Sequence, residues 1–489
     1  MASPKPRVGI PTLFGLFLFV VTLLPARDRV IILADMGNEP DEEQQMVHLL
    51  MSCNAFDLEG LIAVTGKYLR EDPRPELFHH LIDGYSRVVG NLELHAAGWP
   101  SPEHLHAITA AGQPGYGIGD TGPGRASAGS ALIAKALLKE DPRPLYVVVN
   151  AGSNTLAQAL IDLQAGQSPD QMARVVERLR VFENGSQDNA GAWICHEFPE
   201  IHWVRSNYQT YSYGGPGNDG GPDGKQLGPH TWEPYAYSTV GQHQWLLENV
   251  IAGHGPLGKL YPLRLFRMGG LGFQEGGGTI PWIGLLHPGL SDINHPSWGG
   301  WSGRYSREKS ANPWSRHPDI RPDEETYGGF AAFIDDADTW TDPKTGIGMT
   351  NSYAPVWRFR QAMFNDQLCR MDWCGKPFEQ ANHHPVAVFN GDATPTIVRM
   401  RATAGDVLGL DAGGSSDPDG DPLAVSWWIY PEAGTYPGAI AVPEPSSART
   451  CLVIPGDAAG TQIHLVLEVA DLNKIASLCA YRRIVIDVL

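Results

Sequence analysis

The sequence predicts an α/β domain with a mostly parallel sheet and flanking helices, followed by a small all-β domain. Two observations predict this fold class. From Arg29 to about Val204, short β-rich runs alternate with helical patterns, and after about His384 the pattern changes to short alternating strands. At 489 residues the chain is long enough for more than one domain. We assign residues 27–380 to the α/β domain and residues 385–489 to the β domain.

Residues 1–26 have the features of a secretory signal peptide. Lys5 and Arg7 precede the apolar stretch LFGLFLFVVTLL, and the small residue Ala26 precedes the first strand. The stretch is short for a transmembrane span. A signal anchor is the alternative, because Leu24 lies where a cleavage site favours a small residue. We therefore expect a secreted or periplasmic protein with no stable membrane insertion after cleavage.

The charge and cysteine content exclude some partners and sites. The chain has 36 basic and 54 acidic residues, a net charge of −18, which disfavours nucleic acids and anionic membranes. Its six cysteines form no CxxC pair and no zinc-like group with histidine. Export permits disulfides, and the plausible pairs are Cys369 with Cys374 and Cys451 with Cys479.

The elements of the α/β domain follow from local patterns. The predicted strands are RVIILA, LEGLIAVT, PLYVVVN, RLRVFEN and IHWVRS, and the predicted helices are roughly 41–51, 75–88, 128–139, 154–164 and 190–197. This alternation predicts parallel strands. Two stretches rich in glycine and aromatic residues, 206–240 and 269–305, interrupt it, with a helix near 242–252 and a strand near 263–268 between them. Such long loops indicate a binding cleft.

Seven short runs separated by turns predict an immunoglobulin-like (Ig-like) β-sandwich at the C-terminus. They are VAVFN, TIVRMRA, DVLGLDA, AVSWWIY, ARTCLVIP, IHLVLEVA and RRIVIDVL. The segment SSDPDGDP places Asp417, Asp419 and Asp421 in one turn. Its spacing is not that of an EF-hand, so a plain turn is favoured over a calcium site.

An acidic run, IILADMGNEPDEEQQ, follows the first strand and contains Asp35, Glu39, Asp41, Glu42 and Glu43. A strand that ends in carboxylates places them at the carboxyl edge of the sheet, where open α/β folds bind ligands. Ca²⁺ accepts several carboxylate oxygens in flexible geometry and would offset their repulsion. The alternative is a polar helix start, with Asn38 as N-cap and Pro40 at the first helical position. The two interpretations are equally favoured by this segment alone.

Together, the ordered motifs resemble the Sde182 family. The matching segments are DMGNEPDEEQQMVHLL, QPGYG, DPRPLYVVVNAGSNTLAQAL, QDNAGAWICHEFP and GLSDINHPSWGGWSGRY, which cover most of residues 28–380. Members are exported proteins with a nucleoside-hydrolase-like domain followed by a small β-sandwich, and some are described as cellulose-binding. The resemblance implies the nucleoside hydrolase architecture for the α/β domain.

The resemblance also implies a site. In nucleoside hydrolases an acidic motif binds Ca²⁺, which orients a water, a carboxylate takes the proton of this water, and the glycosidic bond breaks with inversion. By this resemblance Asp35 is the base or a metal ligand, and Asp41 is a ligand. Glu42 stands where the family has a second Asp, the Asn154 carbonyl completes the metal shell, and Asp188 faces the sugar as a second catalytic group.

Two departures weaken this implied site. Glu42 is one methylene longer than the expected Asp. In EGGGTIPW, residues 275–282, Gly278 occupies the place where the family pattern has a further ligand Asp. Either Glu275 or Asp292 compensates, or the affinity for metal is low.

Substrate-binding residues are expected in two places. Asn38 and Glu39 lie beside the acidic cluster, and the loop from 289 to 305 supplies His295, Trp298, Trp301 and Arg304. This second set suits a sugar ring, but an equally favoured alternative is a structural loop held by two buried tryptophans. A further aromatic group, interpreted as either carbohydrate-stacking residues or a surface lid, comprises Tyr208, Tyr211, Tyr213, Trp232 and Tyr235.

We therefore expect an exported, Ca²⁺-assisted glycoside hydrolase of nucleoside-hydrolase type that acts on a carbohydrate. The alternative is a non-catalytic carbohydrate-binding protein, for a cellulose-like ligand, with a degenerate hydrolase cleft. Gly278 favours this alternative. Hydrolysis of free nucleosides is the least favoured hypothesis, because nucleoside salvage is normally intracellular.

Overall fold

The structure is a computed structural model, and it describes residues 27–213, 240–241, 243–263, 274–307, 313–343, 346 and 348–489. The predicted signal segment, Trp232, Tyr235 and most of the strand predicted near 263–268 lie outside the described residues. Among the residues that are described, no helix is both long enough and apolar enough to cross a membrane.

The α/β domain is built on one eight-stranded sheet, which confirms the predicted fold class. Its strands are β1 (Arg29–Ala34), β2 (Asp57–Ala63), β3 (Thr109–Ala111), β4 (Leu145–Val149), β5 (Leu179–Asn184), β6 (His202–Ser206), β7 (Tyr305–Ser306) and β8 (Phe333–Asp335). Their spatial order is β3-β2-β1-β4-β5-β6-β8-β7. Only β7 runs antiparallel to its neighbour among these strands.

Helices cover the sheet, and four of the six predicted ranges match closely. The helix predicted at 75–88 ends earlier, at Tyr85, and the range near 242–252 holds a short α-helix followed by a π-helix at Leu247–Ile251. The helices are α1 (Pro40–Leu50), α2 (Pro75–Tyr85), α3 (Val89–Leu92), α4 (Pro102–Ala107), α5 (Ala128–Leu138), α6 (Asn154–Gly166), α7 (Pro169–Arg178), α8 (Ala190–Glu197), α9 (His243–Leu246), α10 (Gly255–Gly258), α11 (Ile280–Ile283), α12 (Arg321–Glu325), α13 (Ala354–Trp357) and α14 (Arg360–Trp373). The prediction missed several elements, among them α7, the long helix α14 and the strands β3, β7 and β8, which are too short to show a period.

Burial on both faces explains why the central strands are continuous apolar runs. In β1, Val30 and Ile32 belong to the core on one face, while Ile31 and Leu33 belong to the core on the other. Because both faces are covered by helices, ligands can reach the sheet only at its edges. The edge where the parallel strands end is therefore the position for a site.

The C-terminal domain is all-β, as predicted, with six regular strands. They are β11 (Val398–Ala402), β12 (Val407–Asp411), β13 (Leu423–Ile429), β14 (Arg449–Val453), β15 (Gln462–Asp471) and β16 (Cys479–Val488), after a hairpin of β9 (Asp338–Thr341) and β10 (Gly348–Asn351). The four-stranded sheet β11-β16-β15-β13 and the pair β12-β14 enclose one core. The seventh predicted strand, VAVFN, makes only isolated bridges because the chain turns at Asn390, whose φ is 49°.

All six cysteines are free, so the two predicted disulfides are wrong. Cys374 and Cys479 are the second cysteines of the two predicted pairs, and their thiols have other neighbours. The Cys374 Sγ lies 3.8 Å from the Arg370 carbonyl, and the Cys479 Sγ lies 3.8 Å from the Glu468 carboxylate.

The two domains share a hydrophobic core, and the loop from 289 to 305 lies between them. Arg483 of β16 donates to the Leu290 and Gly299 carbonyls at 2.7 and 2.8 Å. The Tyr430 hydroxyl donates to Asp338 at 2.6 Å. The sandwich is therefore fixed against the α/β domain by buried polar contacts as well as by apolar packing.

A buried arginine connects the loops at the carboxyl edge of the sheet. Arg205 of β6 donates to Glu183 of β5 at 2.6 Å and to both oxygens of Glu324 of α12 at 3.0 and 3.1 Å. All three side chains are completely buried. Ser153, just before α6, donates to Glu183 at 3.0 Å, and Ser186, after β5, donates to Glu324 at 2.5 Å.

We predict that Arg205→Ala destabilises the protein by about 3–5 kcal/mol, because it leaves two buried carboxylates without their counter-charge. Urea unfolding measures the loss. The control is Arg321→Ala, which removes an exposed pair with Glu325 one helical turn away and should cost about 0.5 kcal/mol or less. Equal losses in the two variants would contradict the prediction.

Candidate functional site

The site lies where the strand order reverses. The chain passes from β1 to β2 and β3 on one side, and then returns to β4 on the other side of β1. Such a switch point opens a crevice at the carboxyl ends of the two central strands. Asp35 follows β1, Asn150 follows β4, and the Asn150 N–H donates to the Leu33 carbonyl at 2.9 Å. We call the space above these two residues the crevice.

Two buried oxygen atoms form the floor of the crevice. Asp35 is 2% exposed and Asn150 is completely buried. Neither the Asp35 Oδ2 nor the Asn150 Oδ1 has a hydrogen-bond partner among the described residues. A buried acceptor without a partner costs free energy, so both oxygens are suited to a ligand that brings hydroxyl donors or a cation.

The acidic residues beside them interact closely. Burial, followed by the negative charge of Asp41, raises the pKa of both Asp35 and Glu42 well above their usual range. Glu42 is held by Gln45, whose Nε2 donates to it at 2.9 Å. Raised pKa values favour neutral carboxyl groups, which lowers the charge on the floor of the crevice.

The alternative of a helix cap formed by Asn38 is wrong. α1 begins at Pro40 as expected, but Glu39 occupies the N-cap position and makes no capping hydrogen bond with its side chain. The Asn38 N–H donates to the Asp35 carbonyl at 3.4 Å instead. Asn38 and Glu39 are part-exposed and follow Asp35 in the chain, and their contact with substrate stays a prediction.

The predicted calcium ligands do not converge. Asp35, Asp41 and Glu42 do not each bring an oxygen within 4.8 Å of the others, and the only described group of three acidic, His or Cys residues that does so is the Asp417, Asp419 and Asp421 turn. Asn154 is the first residue of α6, which directs its carbonyl along the helix. Its side chain donates to the Gly115 carbonyl at 2.8 Å. Calcium binding therefore stays a prediction.

Amide side chains lie beside Gly278, where the resemblance implies an aspartate. A Cβ atom at Gly278 would lie 2.6 Å from the Asn150 Nδ2 and 3.2 Å from the Gln45 Cδ. The Asn150 amide donates to the Gly278 carbonyl at 3.2 Å. The Asn150 N–H that faces Gly278 cannot bind a cation, so no Ca²⁺ ligand stands at this position, whereas the Asn150 Oδ1 has no hydrogen-bond partner among the described residues. Glu275 is buried near Gln44, which accepts its main-chain N–H at 2.8 Å.

Asp292, the other proposed substitute, lies away from the crevice. Its neighbour Asn294 accepts a hydrogen bond from Arg180, near the start of β5, at 2.9 Å. Asp292 also raises the pKa of Asp28, which precedes β1. Both contacts place Asp292 at the amino edge of the sheet, opposite Asp35.

Asp188 connects two helix starts. It is completely buried and accepts from the main-chain N–H groups of Ser153, Asn154 and Ala190 at 3.1, 3.2 and 2.9 Å. Burial raises its pKa to about 7 against the effect of these donors. Both of its oxygens are thus engaged by the backbone. The contacts show Asp188 as a positioning residue, and its catalytic role stays a prediction.

His295 and Trp298 contact the sandwich. Their rings stack at 4.0 Å, Arg399 of β11 lies 4.6 Å from the Trp298 ring, and His464 of β15 packs edge-on against it at 5.1 Å. The structure therefore places both side chains at the domain interface and does not bring them together with Asp35.

Trp301 and Arg304 also lie at the interface. Trp301 is completely buried and packs on His287 at 4.0 Å. Arg304 donates to Asp338 at 2.6 Å and to Asp336 at 2.8 Å. These contacts match the alternative of a structural loop held by buried tryptophans.

Tyrosines and cations follow other strands at the same edge of the sheet, and we call these tyrosines the tyrosine rim. Tyr68 follows β2 and is 54% exposed, and Tyr208 follows β6 and is 45% exposed. Tyr116 lies below Arg70 at 4.4 Å, and Tyr211 lies below Arg316 at 3.5 Å. The pKa of Tyr211 is raised to about 12, first by burial and also by Asp41 and Glu39, which places this ring beside the acidic cluster.

The prediction found only part of this rim. Tyr208 and Tyr211 were expected, but Tyr213 is completely buried and stacks on Phe364 at 5.1 Å. Asn150, Tyr68 and Tyr116 were missed. Their signal was their position, because each follows a strand of the parallel sheet.

Comparison with known proteins agrees with this architecture. The model of the cellulose-binding Sde182 nucleoside hydrolase-like domain matches residues 29–305, and the model of the C-terminal domain of the cellulose-binding protein Sde0182 matches residues 407–488. The chain belongs to the Sde182 family. The match to the nucleoside hydrolase-like domain ends at Tyr305, in β7, so it includes the crevice and the interface loop of this Sde182 protein.

One solved structure supports the family assignment, and a second has only a weak likeness to this chain. A nucleoside hydrolase-related hypothetical protein from Saccharophagus degradans, associated with carbohydrate metabolism, has 34% sequence identity and a TM-score of 0.80, over 95% of this chain and 100% of that one. The effector protein XOO4466 has 10% identity and a TM-score of 0.34, over 72% and 93% of the two chains. A search of curated proteins gives no match.

We predict that Gly278→Ala destabilises this Sde182 protein by about 1–3 kcal/mol, because the added methyl group overlaps the Asn150 amide. The double variant with Asn150→Ala should lose less than the sum of the single losses, by about 0.5 kcal/mol or more. Urea unfolding of the four proteins measures this coupling. Gly90→Ala is the control, since a Cβ there has no neighbour within 4 Å. Additive losses would contradict the contact.

Proposed function

We propose that this Sde182 protein binds an uncharged glycan in the crevice. The observation that supports the proposal is the pair of buried, unpartnered oxygens of Asp35 and Asn150 beside exposed tyrosines. Sugar hydroxyl groups can donate to such oxygens, and the apolar faces of a sugar ring can pack on aromatic side chains. The crevice thus offers both kinds of contact that a pyranose needs.

Charge supports an uncharged ligand. The net charge of −18 repels anionic polymers, and the raised pKa values of Asp35 and Glu42 favour carboxyl groups that can donate as well as accept. The family is described as cellulose-binding, and the Saccharophagus relative is associated with carbohydrate metabolism. A cellulose-type glycan is therefore the first ligand to test. Export, which residues 1–26 predict, would bring the protein to such a glycan.

Binding is better supported than hydrolysis by the contacts in the crevice. Asp188 has both oxygens engaged by main-chain N–H groups. The amide of Asn150 occupies the space where a further carboxylate would be needed. The crevice therefore has hydrogen-bonding groups for a sugar but only part of the expected hydrolytic set.

We expect Tyr68→Ala to weaken the binding of cellohexaose about tenfold, or about 1.4 kcal/mol, because it removes an exposed aromatic face beside the crevice. Isothermal titration calorimetry measures the affinity. Leu94→Ala is the matched control, since Leu94 is 57% exposed and follows α3, outside the crevice. Unchanged affinity in Tyr68→Ala and Tyr208→Ala would refute a tyrosine rim.

A second candidate function is calcium-assisted hydrolysis of a glycoside. One observation favours it: the Asp35 Oδ2 is buried without a partner, and Asp41 lies close enough to raise the Asp35 pKa. A bound cation would give the Asp35 Oδ2 a partner and would offset the repulsion between the Asp35 and Asp41 carboxylates. Hydrolysis of glycans and aryl glycosides with and without EDTA tests the activity, and failure in both conditions would leave binding as the function.

If the crevice binds calcium, Ca²⁺ at about 100 times its Kd should raise the unfolding free energy by about 2.7 kcal/mol. EDTA should reverse the rise, and Asp41→Ala should abolish it. Asp417→Ala is the control, because it disrupts the other carboxylate group without touching the crevice. If Ca²⁺ leaves the melting temperature of the parent protein unchanged, the metal hypothesis is wrong.

A further inference from the structure

A second cleft lies between the α/β domain and the sandwich. Its volume is about 580 Å³, within the range of small-ligand sites. Both domains line it: Trp340 comes from β9, Arg358 and Asn365 from the α13–α14 region, Trp428 from β13 and Glu468 from β15. We call this space the interdomain cleft.

Aromatic rings form one part of its lining. Trp428 is half-buried, contacts Tyr430 at 5.4 Å and Phe359 at 6.2 Å, and has the Arg358 guanidinium 5.3 Å from its ring centre. Arg358 also lies 4.6 Å from the ring of Tyr430. Packing on several sides holds the indole of Trp428 in place at the cleft without ligand. A preorganised aromatic ring costs little entropy on binding.

Polar groups with remaining hydrogen-bonding capacity form the other part. The Arg358 Nε is buried without a hydrogen-bond partner among the described residues. The same is true of the Oε2 of Glu432, which is not in the lining but lies 3.8 Å from the Arg358 guanidinium. Glu468 is bonded by the Trp428 side chain, and burial raises its pKa. Asn365 donates to the Ser477 carbonyl at 2.8 Å, which fixes the orientation of its amide.

The charges of the cleft do not favour an anion. Arg358 is near Asp338 at 3.3 Å and Glu432 at 3.8 Å, so its charge is already compensated. Glu468 and Asp342 add acidic groups to the lining. A ligand with many hydroxyl groups and no charge fits these donors and acceptors together with the indole rings.

We infer that the interdomain cleft is a second binding site, separate from the crevice, for a short uncharged oligosaccharide. Its aromatic and polar groups belong to the domain interface, whereas the crevice lies at the ends of β1 and β4. The inference concerns a different site and stands even if the crevice binds nothing. Two sites fixed on one rigid chain would bind a polymeric glycan more tightly than either alone.

The test titrates the full chain with cellohexaose, xylohexaose and laminarihexaose by calorimetry. We expect the parent protein to bind two molecules of at least one oligosaccharide. Trp428→Ala should reduce this to one, with a loss of at least tenfold in affinity at the interdomain cleft, and Tyr68→Ala should affect the other molecule. Trp193→Ala is the matched control, since Trp193 is half-buried on α8, packs on Phe198 and does not line the interdomain cleft.

Glu468→Gln keeps the shape of the cleft and decides the matter if Trp428→Ala unfolds. It should also weaken the second binding event, and unchanged affinity would overturn the inference. A parent protein that binds one molecule, lost in Tyr68→Ala and kept in Trp428→Ala, overturns the cleft and supports the crevice. A parent protein that binds one molecule, lost only in Trp428→Ala, supports the interdomain cleft and overturns the crevice. No binding of any of the three oligosaccharides overturns both.

Discussion

The position of the crevice depends on the buried contact of Arg205 with Glu183 and Glu324. Glu183 lies on β5 and also accepts from Ser153 before α6, while Glu324 on α12 also accepts from Ser186 after β5. One guanidinium thus connects the loops that follow β4 and β5 with α12. Because a buried charge must keep its partners, these loops cannot move independently of β6. The crevice is therefore built on a fixed frame.

Within that frame, a small change alters the chemistry. At Gly278, where the family resemblance implies an aspartate, the amide groups of Asn150 and Gln45 occupy the space that a side chain would need. An amide brings a donor and an acceptor but no charge, whereas a carboxylate brings negative charge and can bind a cation. The floor of the crevice therefore combines a few acidic groups with amides. This composition suits hydroxyl groups better than it suits a divalent ion, although the sheet and its switch point are those of a nucleoside-hydrolase-like fold.

The sequence predicted the features that depend on neighbours along the chain. The central strands were identified because each is a short apolar run, and Asp35 because it follows such a run directly. Asn150 and Tyr68 were missed because their role depends on which strand ends lie side by side. From the sequence, Trp298 and Trp301 could equally bind a sugar or hold a structural loop in place. Only their packing against the sandwich distinguishes these two roles. Cys369 and Cys374 are close in sequence, but residues five apart on a helix point to different sides.

The contacts between the domains hold the sandwich in a fixed position against the α/β domain. Trp301 and Tyr481 belong to one hydrophobic core that crosses the interface, and Arg483 donates to main-chain carbonyls of the α/β domain. A module joined only by a flexible linker would move freely and would have an apolar surface of its own. Here the two domains bury that surface together, so any surface formed by both has a fixed shape. A linear polymer that touches the α/β domain and the sandwich would thus meet a rigid arrangement of aromatic groups, which reduces the entropy lost when it binds.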